Sequence, residues 1–165
     1  MDGQQPVECF GLAGQGQLGA RLEFGVSGFL EQVMTESTFA ERTRVEQTLS
    51  QTEGLAFAVL VGSRAEGNEH AHSDWDIAIQ WARTLLPTEQ LRRTELLRYQ
   101  LRLALGLDDD KIDLIDVSGA GLTMRALVAE QGKELVVKDD LAWIRFLSAT
   151  WFELEDYYWR AQHAA

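Results

Sequence analysis

Residues 55–81 read LAFAVLV-GSRAEGNEHAHS-DWDIAIQW, and this stretch decides the fold. Leu55 to Val61 is a continuous apolar run of strand length, as expected for a strand buried on both faces. Gly62 to Ser73 is polar and punctuated by glycine, so a turn and loop follow. Asp74 to Trp81 alternates and reads as a second strand. Working outward, Phe29 to about Gln51 predicts a helix, with Thr38 and Glu41 spaced as a capping box and Gly54 as its stop. Pro87 through Leu107 predicts a helix carrying Leu91, Leu96, Leu97, Leu101, Leu103 and Leu105. Lys111 to Val117 (KIDLIDV) predicts a third strand, Gly121 to Gln131 a helix, Glu134 to Val137 a short strand and Asp140 to His163 a long aromatic helix. This order predicts an α/β domain, a sheet covered by helices.

The chemistry concentrates in the same stretch. Asp74 and Asp76 sit two residues apart on a strand, so their carboxylates share a face, with about 7 Å of strand between their bases. Like charges so close need compensation, and a divalent cation supplies it. Magnesium takes one or two carboxylates together with substrate phosphates. An isolated Asp-x-Asp is more often two solvated aspartates on a strand edge. Here Gly62-Ser63 adds a turn after a buried strand. Such a turn presents backbone N–H groups to phosphate, glycine permits close approach, and Ser63 adds a hydroxyl. Arg64 is either a further phosphate cation or a solvated side chain. KIDLIDV offers Asp113 or Asp116 as a third acid; the two face opposite sides of a strand, and the residues alone do not choose between them. Together the set suits phosphoryl-type transfer with two metal ions, in which positioning and charge neutralisation do most of the work.

Other features bound the function. The chain has 165 residues, a formal net charge of −11 and one cysteine, Cys9, read as an inert thiol. No internal disulfide is available, no apolar run is long enough to span a bilayer and no secretory signal is visible, so a cytoplasmic protein is expected. The acidity argues against general nucleic-acid binding. Met1 to Gly28 carries half of the chain's 14 glycines and is expected to be a flexible arm, leaving 29–165 as the folded domain. His70 and His72 read as solvated loop residues, and the run 108–110 as a solvated acidic turn. In the last helix Trp143, Phe146, Leu147, Thr150, Trp151, Leu154, Tyr157 and Tyr158 follow helical spacing. Core packing is the default reading of that stripe and a partner-docking face the alternative.

Gly62-Ser63, ten intervening residues and then Asp74-Trp75-Asp76 resemble the GS-x10-DxD signature of the DNA-polymerase-β-like nucleotidyltransferase superfamily. The segments VLVGSRAEG, SDWDIAIQW, KIDLIDV and RALVAEQGKEL resemble those of the MntA-type minimal nucleotidyltransferase antitoxins, from about Leu55 to the C-terminus. The resemblance implies the polymerase-β-like nucleotidyltransferase fold, a mixed sheet covered by helices. It implies that Gly62 and Ser63, with Arg64 beside them, contact nucleotide phosphates. It also implies that Asp74 and Asp76 bind magnesium and that Asp113 is the third acid. The implied donor is ATP. The implied acceptor is a tyrosine hydroxyl on a HEPN-type RNase toxin, which AMP would silence and with which the chain would associate. Two other functions compete: an antitoxin that acts by binding alone, and a small-molecule transferase of the aminoglycoside type.

Overall fold

A computed structural model describes residues 26–66 and 73–163, with side chains of 26–36 and Asp109 outside that description. Most of the expected arm, Cys9, His70 and His72 therefore lie outside the described residues. The chain divides into two units, Met1–Thr35 and Glu36–Ala165. In the first, the described part is helical backbone from Val26; in the second lie the sheet and every candidate site residue.

Helix α1 (Val26–Gln51) leads into β1 (Leu55–Val61) and a single helical turn, α2 (Ser63–Glu66). Strand β2 (Trp75–Trp81), helix α3 (Pro87–Leu105) and a 3-10 turn (Asp109–Lys111) follow. The chain ends with β3 (Ile112–Asp116), α4 (Leu122–Gln131), β4 (Lys133–Val137) and α5 (Asp140–His163). Thr38 lies inside α1 and caps nothing, because the backbone is already helical twelve residues before it. Its expected partner Glu41 instead pairs with Arg64. Strand β2 begins at Trp75, one residue later than expected, leaving Asp74 at its threshold.

The four strands lie in the order β3-β2-β1-β4. Strand β1 is antiparallel to both β2 and β4, whereas β2 and β3 run parallel, so the sheet is mixed. All seven residues of β1 are buried, as a central strand covered on both faces requires. On one face Val45 and Leu49 of α1 and Leu97 and Leu101 of α3 pack on Leu60, Trp75, Ile77 and Ile79. On the other, Val128 of α4 and Phe146 of α5 pack on Phe57, Val59 and Ala78. Period-two alternation in β2 therefore sends Trp75, Ile77 and Ile79 towards α1 and α3, and Asp76, Ala78 and Gln80 towards the α4–α5 side.

The expected strands and helices are all present. Gly106 ends α3 in the left-handed conformation, its N–H bonded to the Arg102 carbonyl. Of the six leucines that mark α3 in the sequence, Leu97 and Leu101 are buried, while Leu91, Leu96 and Leu103 are exposed.

Candidate active site

The site forms where β1 ends, β2 begins and β3 begins. Val61 registers against Asp76, so the chain turns at Gly62 directly beside that carboxylate. Gly62 has φ +72°, a left-handed conformation that L side chains rarely adopt. A Cβ at this position would collide with Asp76 Oδ2. Both the turn and the carboxylate thus require glycine. The Gly62 carbonyl accepts the N–H groups of Ala65 (2.9 Å) and Glu66 (3.2 Å), which winds α2 and puts Ser63 at its first position.

Asp76 registers against Asp113 on the neighbouring parallel strand. Both point to the α4–α5 side, because their neighbours Ile77, Ile112 and Leu114 point to the other. Asp116, the alternative third acid, is placed differently. Its carboxylate accepts the backbone N–H (2.9 Å) and hydroxyl (2.7 Å) of Ser118 and so shapes the turn after β3. The structure therefore brings Asp113, not Asp116, beside Asp76.

Asp74 is half exposed and accepts a hydrogen bond from Lys111 Nζ at 3.0 Å. Lys111 closes the 3-10 turn and stands opposite Asp74 because Trp75 registers with Ile112. Its ammonium pKa is raised by this bond and by the Asp74 charge. The Asp76 carboxyl pKa is also raised, first by burial, then by the charges of Asp113 and Asp74. Concentrated negative charge is thus a physical property of the site. Lys111 is the residue that sequence reasoning passed over: a lysine opening a strand has no local signal, and only the β2–β3 register puts it against Asp74.

Arg64 is occupied. Its side chain is 8% exposed. The Nε donates to the Ser73 carbonyl at 2.9 Å, the guanidinium pairs with Glu41 at 3.5 Å, and it lies 4.5 Å from the centre of the Trp75 ring. These contacts tie α2 to α1 and to the residues that enter β2.

Among the described residues, no three carboxylate, imidazole or thiolate side chains converge as a formed metal shell. Magnesium does not require one, since it keeps several waters and takes its remaining oxygens from one or two carboxylates and the substrate. Two hard oxygen donors, Asp74 and Asp76, with Asp113 beside them and a raised Asp76 pKa, fit that demand.

A buried strand ending in a glycine turn against paired aspartates, with a third acid on the parallel edge strand, defines a nucleotidyltransferase. The chain belongs to the polymerase beta nucleotidyltransferase family, whose profile ("Polymerase beta, Nucleotidyltransferase") matches residues 43–141. A relative from Shewanella oneidensis, protein adenylyltransferase MntA, is 38% identical over 81 residues, which is 49% of this chain and 53% of that protein. The match thus spans about half the length of that relative. A crystal structure of a toxin–antitoxin with AMP-PNP superimposes with TM-score 0.55 at 25% identity, covering 74% of this chain and 92% of that one. A tri-AMPylated Shewanella oneidensis HEPN toxin in complex with MNT antitoxin gives TM-score 0.53 at 22% identity, covering 77% and 92%, a likeness of fold.

Proposed function

We propose that this chain is the antitoxin of a toxin–antitoxin pair and transfers AMP from ATP to a tyrosine hydroxyl of a HEPN-type RNase toxin, with magnesium as cofactor. The observation that carries the reading is the Val61–Asp76–Asp113 register, which assembles the turn and the acids of a nucleotidyltransferase in one place. The relatives supply the rest: one is named a protein adenylyltransferase, one was crystallised with AMP-PNP and one stands beside an AMPylated toxin.

In this reading the acceptor oxygen attacks the α-phosphorus of ATP, the bond to the β-phosphate breaks, and pyrophosphate leaves. Gly62 lets the backbone approach the phosphates, and Ser63 donates its N–H and hydroxyl to them. Asp74 and Asp76 hold the metal, which when bound supplies charge neutralisation and activation of the hydroxyl. Asp113 completes the acid set beside Asp76. Lys111 and Arg64 are positioning residues, the first orienting Asp74 and the second holding the backbone at Ser73. No helix among the described residues is long and apolar enough to cross a membrane. We place the reaction in the cytoplasm, where ATP is available. The domain that performs it is residues 29–165, with 1–28 as an arm.

The test is intact mass of a co-expressed HEPN partner after incubation with ATP and magnesium. AMP-sized increments that vanish with Asp74→Asn, Asp76→Asn are expected. A tight complex without any increment would instead make the chain an antitoxin that acts by binding.

A further inference from the structure

At the far end of β2 the same side of the sheet opens into a cavity of about 240 Å³ between β2, α4 and α5. Gln80 lies four residues along the strand from Asp76, roughly 13 Å at strand rise. Its walls include Arg83, Arg125 and Arg145, with Gln80, Gln90 and Ser118. In a chain of 26 acidic residues and net charge −11, no carboxylate lines this cavity.

Its polar groups are short of partners. Gln80 is 9% exposed and lines the cavity. Arg125 pairs through its terminal nitrogens with Glu153, yet its Nε is buried without a partner. Arg83 and Arg145 have no ion pair among the described residues. Strand β1 carries an irregularity opposite this point, between Leu55 and Phe57, of the kind enriched beside functional sites. Two guanidinium groups without an ion pair, those of Arg83 and Arg145, share one small space with the partly satisfied Arg125 and the Gln80 amide. Arginine's planar donors match oxyanions, and the volume is below that of a pocket for a whole nucleotide.

We propose that Gln80, Arg83, Arg125 and Arg145 form an oxyanion pocket that accepts a phosphate group, distinct from the three-aspartate site. The proposal stands whether or not the chain transfers AMP. The test is calorimetric titration of the full chain with inorganic phosphate, at low salt and without divalent metal. Saturable binding is expected, and it should persist in Asp74→Asn, Asp76→Asn. It should weaken at least tenfold in Arg83→Ala, Arg145→Ala, both exposed positions that leave the core intact. Gln80→Leu should also weaken phosphate binding while leaving the melting temperature within a few degrees of the parent, because it keeps the apolar bulk of the side chain in the cavity wall. That combination separates a binding role from a folding defect. Titration with AMP distinguishes the sources. Competition between AMP and phosphate means the group arrives on a nucleotide, and binding of phosphate alone means a free anion. Absence of saturable binding overturns the proposal, as does binding unaffected by the arginine variants or lost with the aspartate pair.

Discussion

Gly62 meets two demands at once: a positive φ, and an approach so close that Asp76 occupies the space of its missing Cβ. Gly62→Ala should cost about 1–2 kcal/mol from backbone conformation, and it must also displace the Asp76 carboxylate. Loss of AMP transfer by a hundredfold or more is therefore expected, with a melting temperature only several degrees lower. Comparing the two readouts checks it; full activity with a lowered melting temperature would mean that the turn is structural only. Asp76 gives a second expectation, with the opposite sign for stability. Its folded pKa is raised, so the folded chain holds that proton more tightly than the unfolded chain does. Keeping the carboxylate charged costs stability above the raised folded value, and the cost disappears below the ordinary value of 3.8. In the absence of metal, Asp76→Asn should raise the melting temperature at pH 7. After solvent screening the gain is at most on the order of 1 kcal/mol, and it should fade as the pH falls through the raised folded value and disappear below the ordinary value of 3.8. Thermal melts in chelator at pH 7 and below that ordinary value decide this.

Helix α5 shows how far helical spacing alone can be read. The stripe that the sequence predicts is half core: Phe146, Thr150 and Leu154 are buried, with Trp143 and Leu147 packed against the cluster that contains Phe146. Trp151, Tyr157 and Tyr158 of the same stripe are exposed. Periodicity marks which residues share a helix face, but not where the helix passes beyond the elements beneath it, and every residue from 155 to 163 is exposed. The leucines of α3 divide by face instead: Leu97 and Leu101, four apart, share the buried side, and Leu91, Leu96 and Leu103 lie off it. Where the sheet does lie underneath, the ring of Phe57 meets Trp143 at 4.9 Å and Phe146 at 5.4 Å between centroids. Phe146→Ala should therefore cost ~3–5 kcal/mol in chemical denaturation, whereas Phe152→Ala, at 73% exposure, should change stability by less than about 0.5 kcal/mol. The strands were more legible than the helices. The unbroken apolar run of β1 and the alternation of β2 carry their burial in local order. Gly62, Asp74 and Asp76 stand in that local order too, which is why one stretch of chain displays most of the site. Asp113 against Asp116, the Lys111 bond to Asp74 and the occupied guanidinium of Arg64 depend on contacts between distant segments. No local pattern encodes those contacts.

At the scale of the whole molecule, a net charge of −11 and three neighbouring aspartates act together on a cation. The field of the chain attracts magnesium in general, whereas in the proposed reading Asp74 and Asp76 offer hard ligands beside the turn that would hold phosphate. A ligand that binds only the folded state stabilises it by RT ln(1 + [L]/Kd), about 2.7 kcal/mol at a hundred times Kd. Magnesium should therefore raise the unfolding free energy by about that amount at a hundred times its Kd. In Asp74→Asn, Asp76→Asn this logarithmic rise should be lost, leaving the weak effect of a cation on an acidic surface. Sodium chloride should weaken the surface part most, because exposed charges are screened beyond about 10 Å at 0.1 M salt whereas a direct ligand bond is not. Melts of both proteins across magnesium concentrations, at low and high salt, separate the two contributions. An equal rise in the two proteins would assign magnesium to the acidic surface rather than to the site. The metal in the proposed transfer would then have to arrive with ATP, on ligands that the triphosphate supplies.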